Sequence, residues 1–210
     1  MLLMNVIKWF RGKKYKMIID KDFLTENDKH KVYTLCSSPE VPWYFIKTTT
    51  TYNEERNNVL SDERTKENSQ FIHTLRGDET IFSSYYDYIH NEVFLKFLNK
   101  HKIKCKSILR AKLNFVSSIN QNEDVYQSPH VDYRFPHKVF LYYVNDSDGN
   151  TFLFNEKYNG EKQTLTIANE ITPEMGKAIC FDGLTYHAPS SPKKSQNRIV
   201  INIAFIEDKE

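Results

Sequence analysis

The sequence predicts a mainly β domain, a double-sheet jelly roll with flanking helices, and three observations carry that expectation. From residue 107 onward, short segments rich in β-branched and aromatic residues recur between turn signals. Upstream, apolar residues fall at helical spacing between Ile81 and Lys100. The length of 210 residues is that of one β-rich domain and is enough to bury a substantial core.

Taken in order, residues 1–16 read as a basic tail, with Lys8, Arg11, Lys13, Lys14 and Lys16. Their apolar stretch is short and broken by Lys8, and no small-residue cleavage site follows, so a secretory signal is not expected; Met1 and Met17 are both candidate starts. A single domain is expected over 17–210, with a helical lead-in at 17–106 and a jelly-roll core at 107–206. Within the lead-in, a short helix runs from about Asp22 to Leu35 and is closed by Ser37-Ser38-Pro39. Residues 53–70 are polar and charged and read as a loop over the site. Phe82, Tyr85, Tyr86, Ile89, Phe94, Leu95 and Leu98 form a stripe expected to pack on a sheet.

The core strands are expected at Ser107–Ser117, Lys138–Val144, Thr151–Tyr158, Lys162–Ala168, Lys177–Phe181 and Arg198–Phe205. Asp148-Gly149 and Asn159-Gly160 are tight-turn dipeptides, the second flanked by segments of matching length. Successive hairpins of this kind suit a jelly roll whose mouth holds a metal. On the last strand Arg198, Val200, Asn202 and Ala204 share one face, and Ile199, Ile201, Ile203 and Phe205 share the other. If the isoleucine face packs on the helices, Arg198 points into the barrel.

Bulk properties narrow the function. A net charge of +2 is too mild to demand nucleic acid or an anionic membrane. No stretch is long enough to span a bilayer. The scattered Cys36, Cys105 and Cys180 contain no CxxC and suggest reduced thiols in a cytoplasmic compartment.

His130-Val131-Asp132, with His187 and Arg198 farther on, carries the chemistry. In an extended strand, residues i and i+2 share a face, so His130 and Asp132 present an imidazole nitrogen and a carboxylate oxygen to one point. His187 from a neighbouring strand completes two nitrogens and one oxygen. Such a triad leaves coordination positions open and is the ligand set of non-haem Fe(II) oxygenases. The Arg198 guanidinium is a fixed fork that matches the far carboxylate of a dicarboxylic cosubstrate. Without that conjunction, Asp132 would be an ordinary hydrogen-bond acceptor and His187 a core histidine.

On these residues, with FPHKVFLYYVNDSDGNTFLF at 135–154, GKAICFDGLTYHAPSSP at 176–192 and RIVINIAF at 198–205, the chain resembles the 2-oxoglutarate- and Fe(II)-dependent oxygenases in their prolyl-4-hydroxylase-like branch. PWYF at 42–45 and SILRAKLNF at 107–115 extend the similarity to phage-encoded members, which would place the protein in a host cytoplasm. The resemblance implies a double-stranded β-helix, iron held by His130, Asp132 and His187, and 2-oxoglutarate anchored by Arg198. It implies O₂ as the other cosubstrate and release of succinate and CO₂. Asn114 matches the first residue of an Asn-x-Tyr pair that contacts the cosubstrate in some members, but Val116 stands where the tyrosine would be. Val200 stands where many members have serine. A tyrosine hydroxyl is expected instead from Tyr142 or Tyr143, of which strand alternation sends only one inward.

The resemblance points to hydroxylation of a peptidyl or small-molecule substrate, and Asp132 favours hydroxylation over halogenation. A nucleic-acid or nucleotide oxygenase on the same centre is less favoured by the charge and the acidic 54–67 region. A non-enzymatic cupin-like jelly roll, or a degenerate enzyme, are the remaining alternatives. Pro42–Phe45 and the 53–70 and 117–129 loops are expected at the mouth, with Tyr133, Arg134 and His137 near the metal.

Overall fold

A computed structural model describes residues 17–48, 63–119 and 125–208. The basic tail, most of the expected 53–70 loop and part of the 117–129 loop therefore lie outside the described residues.

Strand β1 (Ile18–Asp20) leads into helix α1 (Glu26–Cys36). Thr25 caps α1, its hydroxyl accepting from the Asp28 amide at 3.2 Å, and Glu26 and Asp28 place negative charge on the first turn. Strands β2 (Tyr44–Ile46), β3 (Gln70–Gly77) and β4 (Thr80–Ile81) follow. The segment 17–106 is thus a mixture of strands and helices, not a helical lead-in. The apolar stripe forms α2 (Tyr85–Ile89), a π-helical turn at His90–Phe94 and α3 (Leu95–His101), ended by Lys102 in the left-handed conformation at φ 55°. Phe82, expected on that stripe, precedes the helix and is exposed.

The core strands are β5 (Lys104–Ser117), β6 (Lys138–Tyr143), β7 (Thr151–Lys157), β8 (Ile167–Ile171), β9 (Ala178–Asp182), β10 (Thr185–Pro189) and β11 (Asn197–Asp208). Among the described residues they form two antiparallel sheets. The larger runs β1-β9-β6-β11-β5-β3-β2, with β4 added to β3, and the smaller runs β10-β7-β8.

Two turn expectations are corrected. Asp148-Gly149 does not close a hairpin, because β6 and β7 belong to different sheets and the chain crosses between them there. Strands β7 and β8 do pair, but β8 begins at Ile167, so Asn159-Gly160 sits inside a longer connection. Gly160 has φ +88°, and the Asn159 side chain accepts from the Glu161 amide at 3.0 Å, an Asx turn.

Strand parity sorts the interior. Ile199, Ile201, Ile203 and Phe205 of β11 pack with Phe140 and Tyr142 of β6 against Ile89, Phe94 and Phe97 of the helices. Ring centroids of Phe94 and Phe97 lie 5.4 and 4.9 Å from Phe140, and each such side chain, fully buried, stabilises the fold by roughly 1.5–3 kcal/mol. The other face of the large sheet supplies Val139, Leu141, Tyr143, Ile179, Phe181 and Val200, which meet Leu153 and Ile171 of the small sheet. That second core is the inside of the jelly roll, and Arg198 lies on its side of β11, as alternation along the last strand predicts.

Candidate metal centre

One ligand atom each from His130, Asp132 and His187 lie within 4.8 Å of one another, the only such cluster of potential metal ligands among the described residues. The HxD segment is not a regular strand. His130 makes a single antiparallel bridge to His187, each amide donating to the other's carbonyl at 3.0 Å, and this rung alone sets the two rings side by side. Their centroids are 4.5 Å apart. The β10–β7 register shifts between Thr185 and His187, a bulge at the distal ligand of the kind that re-aims a side chain.

Each ring is oriented by a carbonyl two residues before it. His130 Nδ1 lies 3.1 Å from the Ser128 carbonyl, and His187 Nδ1 lies 3.2 Å from that of Thr185. A carbonyl only accepts, so both Nδ1 atoms carry the proton and both Nε2 atoms keep their lone pair for a metal. Asp132 Oδ1 accepts from Arg110 Nη2 at 2.6 Å. Its Oδ2 and the Nε2 of His187 are buried without a partner among the described residues. Orphaned acceptors of this kind are costly unless something fills the space between them, and two imidazoles with one carboxylate suit a divalent transition metal.

Electrostatics agree. Burial pushes the His187 pKa down to about 3, with His130 adding to the effect and Asp132 opposing it, so the ring is neutral and ligand-ready. Burial by itself would raise the Asp132 pKa, but Arg110, His187 and Lys112 hold it well below the usual carboxylate range.

Deeper in the barrel, Arg198 Nη2 donates to the Thr151 hydroxyl at 2.7 Å, and the Tyr143 hydroxyl donates to the same oxygen at 2.9 Å. Arg198 is buried, and its Nε has no partner among the described residues. Gly149 makes room for it. A β-carbon there would stand 2.8 Å from the Ser190 carbonyl oxygen and 3.1 Å from Arg198 Cδ. The chain entering β11 is gripped by Asp148, whose carboxylate accepts from the Lys194 and Ser195 amides at 2.8 and 3.0 Å. Asn145 Oδ1 accepts from the Ile199 amide at 2.8 Å.

The remaining expectations sort by face. Tyr143 is the inward tyrosine. Tyr142 points to the helical layer, edge-on to Phe23 at 5.9 Å, and is away from the site. Asn114 shares the face of Lys112, and its buried Oδ1 has no partner among the described residues. His137 packs on Gly183 and takes no place in the triad. Tyr44 and Phe45 are exposed on β2. Sequence reasoning missed Arg110 and Lys112, which stand four and two residues before Asn114 on β5.

No protein-family model matches the chain, and no curated protein is similar enough in sequence to count as a relative. Solved structures do match. An oxidoreductase of the 2OG-Fe(II) oxygenase family from Burkholderia pseudomallei aligns with TM-score 0.62 and 10% identity, over 90% of this chain and 84% of its own. A prolyl hydroxylase from Trichoplax adhaerens, in complex with a hypoxia inducible factor peptide fragment, aligns with TM-score 0.55 and 15% identity, over 90% and 83%. The epimerase SnoN of nogalamycin biosynthesis, in complex with Fe3+, alpha ketoglutarate and nogalamycin RO, aligns with TM-score 0.52 and 9% identity, over 90% and 78%. These likenesses establish the fold: the chain has the jelly-roll architecture of 2-oxoglutarate- and Fe(II)-dependent oxygenase structures.

Proposed function

We propose that this protein is an Fe(II)- and 2-oxoglutarate-dependent oxygenase that hydroxylates a small-molecule or peptide substrate. The observation that carries the reading is one barrel holding a two-histidine, one-carboxylate cluster near its mouth and a buried Arg198–Thr151–Tyr143 constellation farther in. His187 pairs with Leu153, and Thr151 stands two residues along the same face of β7, roughly 7 Å away. That separation suits a short diacid held at both ends.

His130, Asp132 and His187 would hold the iron. When bound, it supplies O₂ activation coupled to oxidative decarboxylation of the 2-oxo acid, giving succinate, CO₂ and an oxidised substrate. Arg198 would clamp the far carboxylate of 2-oxoglutarate, with the Tyr143 hydroxyl as a second donor. Arg110 fixes the plane of Asp132 through Oδ1 and leaves Oδ2 free as ligand. Leu141, Leu153, Ile179, Phe181 and Val200 line the space between the sheets and exclude water from it. The peptide bound by the Trichoplax enzyme and the alpha ketoglutarate bound by SnoN support this use of the fold.

The test is anaerobic titration of purified protein with Fe(II) and 2-oxoglutarate, following the visible charge-transfer band of the chelate. A band in wild type, lost in Asp132→Ala and demanding far more cosubstrate in Arg198→Ala, is the expected result. No band at saturation would leave a jelly roll whose histidines serve another purpose.

A further inference from the structure

Strand β5 brings two cations to the metal centre that neither the iron ligands nor the cosubstrate anchor uses. Arg110, Lys112 and Asn114 alternate on its barrel face, opposite Ala204, Asn202 and Val200 of β11. Arg110 spends one nitrogen on Asp132 at 2.6 Å, while its Nε is buried with no partner among the described residues. Its guanidinium lies 5.7 Å from the centroid of the Tyr133 ring, next to the HxD segment. Lys112 makes no hydrogen bond or ion pair among the described residues, and it is partly exposed, so a molecule entering the mouth can reach it.

Charge balance sharpens the anomaly. With iron and 2-oxoglutarate in place, Asp132 and the near carboxylate offset the metal, and the far carboxylate offsets Arg198. Arg110 and Lys112 are then left without an anion of their own in a poorly solvated space, where unpaired charge is strongly disfavoured. Arg198 does not relieve them with its own ligand. It pairs with Val116, four residues along β5 from Lys112, roughly 13 Å of strand away. One free guanidinium N–H and one ammonium are two donors, the number that the two oxygens of a carboxylate accept.

We propose that Arg110 and Lys112 form an anion subsite beside the metal, and that the substrate oxidised there carries a carboxylate. The inference rests on the oxygenase reading above. It narrows that reading from any small molecule or peptide to an acidic one: a free or N-acylated amino acid, or a peptide presenting an acidic side chain. The environment of Lys112 agrees, since burial and the neighbouring Arg110 push its pKa down to about 7 while Asp132 opposes them. An incoming carboxylate would restore the ammonium.

The test uses the anaerobic protein loaded with Fe(II) and 2-oxoglutarate, with the shift of its visible band as the readout of binding. Two matched probe pairs are added. N-acetyl-L-proline and its amide differ in a terminal carboxylate, and the capped tripeptides Ac-Ala-Glu-Ala-NH₂ and Ac-Ala-Gln-Ala-NH₂ differ in a side-chain one. In wild type, the acid of one pair should bind about tenfold or more tighter than its amide, and which pair responds identifies the source of the carboxylate. Lys112→Met should erase that preference, Lys112→Arg should keep it, and neither should change the 2-oxoglutarate concentration needed to form the band. Equal or undetectable binding of acid and amide in both pairs overturns the inference. So does a Lys112→Met variant that needs as much extra 2-oxoglutarate as Arg198→Ala, because Lys112 then serves the cosubstrate. Absence of the band from wild type would instead sink the oxygenase reading, and this inference with it.

Discussion

Replacing Lys112 by methionine should stabilise the metal-free protein, and by an amount that depends on pH. The two side chains share an unbranched stem, so packing is largely kept while the unpaired ammonium is removed. Burial lowers the Lys112 pKa from 10.5 to about 7. Each tenfold loss of proton affinity costs the charged form about 1.4 kcal/mol relative to the neutral one. Between the folded and unfolded values the unfolded chain holds a proton that the folded chain has released, so wild-type stability rises with pH across that window. The penalty is fully present below the folded pKa and is gone above the unfolded one. Lys112→Met should therefore gain as much as roughly 5 kcal/mol near about pH 6 and about 1.5 kcal/mol near about pH 9.5. Urea unfolding of both proteins at the two pH values, taken as the difference between variant and wild type, isolates this group from others that titrate. A gain that is the same at both pH values, or a variant less stable than wild type at the lower one, would overturn this account, since either means that the ammonium has a native partner.

Other outcomes follow from the same interior. His187→Ala should eliminate stoichiometric Fe(II) binding in equilibrium dialysis while circular dichroism stays native, because the His130–His187 rung is made by backbone. Tyr143→Phe should raise the 2-oxoglutarate concentration needed for chelation by about threefold to tenfold, the effect of losing one hydrogen bond worth about 1 kcal/mol. Tyr142→Phe, on the helical side, should leave it unchanged in the same titration. Gly149→Ala should lower both thermal stability and 2-oxoglutarate affinity, since its β-carbon meets the Ser190 carbonyl oxygen at 2.8 Å and Arg198 Cδ at 3.1 Å.

What could be read from the sequence was whatever depends on local period. The isoleucines of β11 announce which side packs on the helices, and with them the inward direction of Arg198. The helical stripe was legible for the same reason, although the π-helical turn at His90–Phe94 leaves no mark in apolar spacing. Non-local choices were not legible. Asp148-Gly149 looks like a hairpin turn, and only the assignment of β6 and β7 to different sheets makes it a crossover. Strand β3 hides behind a polar run because its first half alternates with few apolar anchors. Arg110 and Lys112 escaped notice because charged residues alternating with Ile108, Ala111 and Leu113 look like the solvent face of a half-buried strand. The signal was nonetheless present: they share parity with Asn114, already a candidate for the interior.

The rung between His130 and His187 ties together two chain segments far apart in sequence, and it does so at the position where a metal would be held. Ligand spacing is therefore set before any ion arrives, and the chain between the two histidines can vary in length without altering it. The same rung makes local opening of the barrel mouth and loss of the ion a single event. Amide exchange at these two residues should slow together on loading, as a direct clock for metal residence.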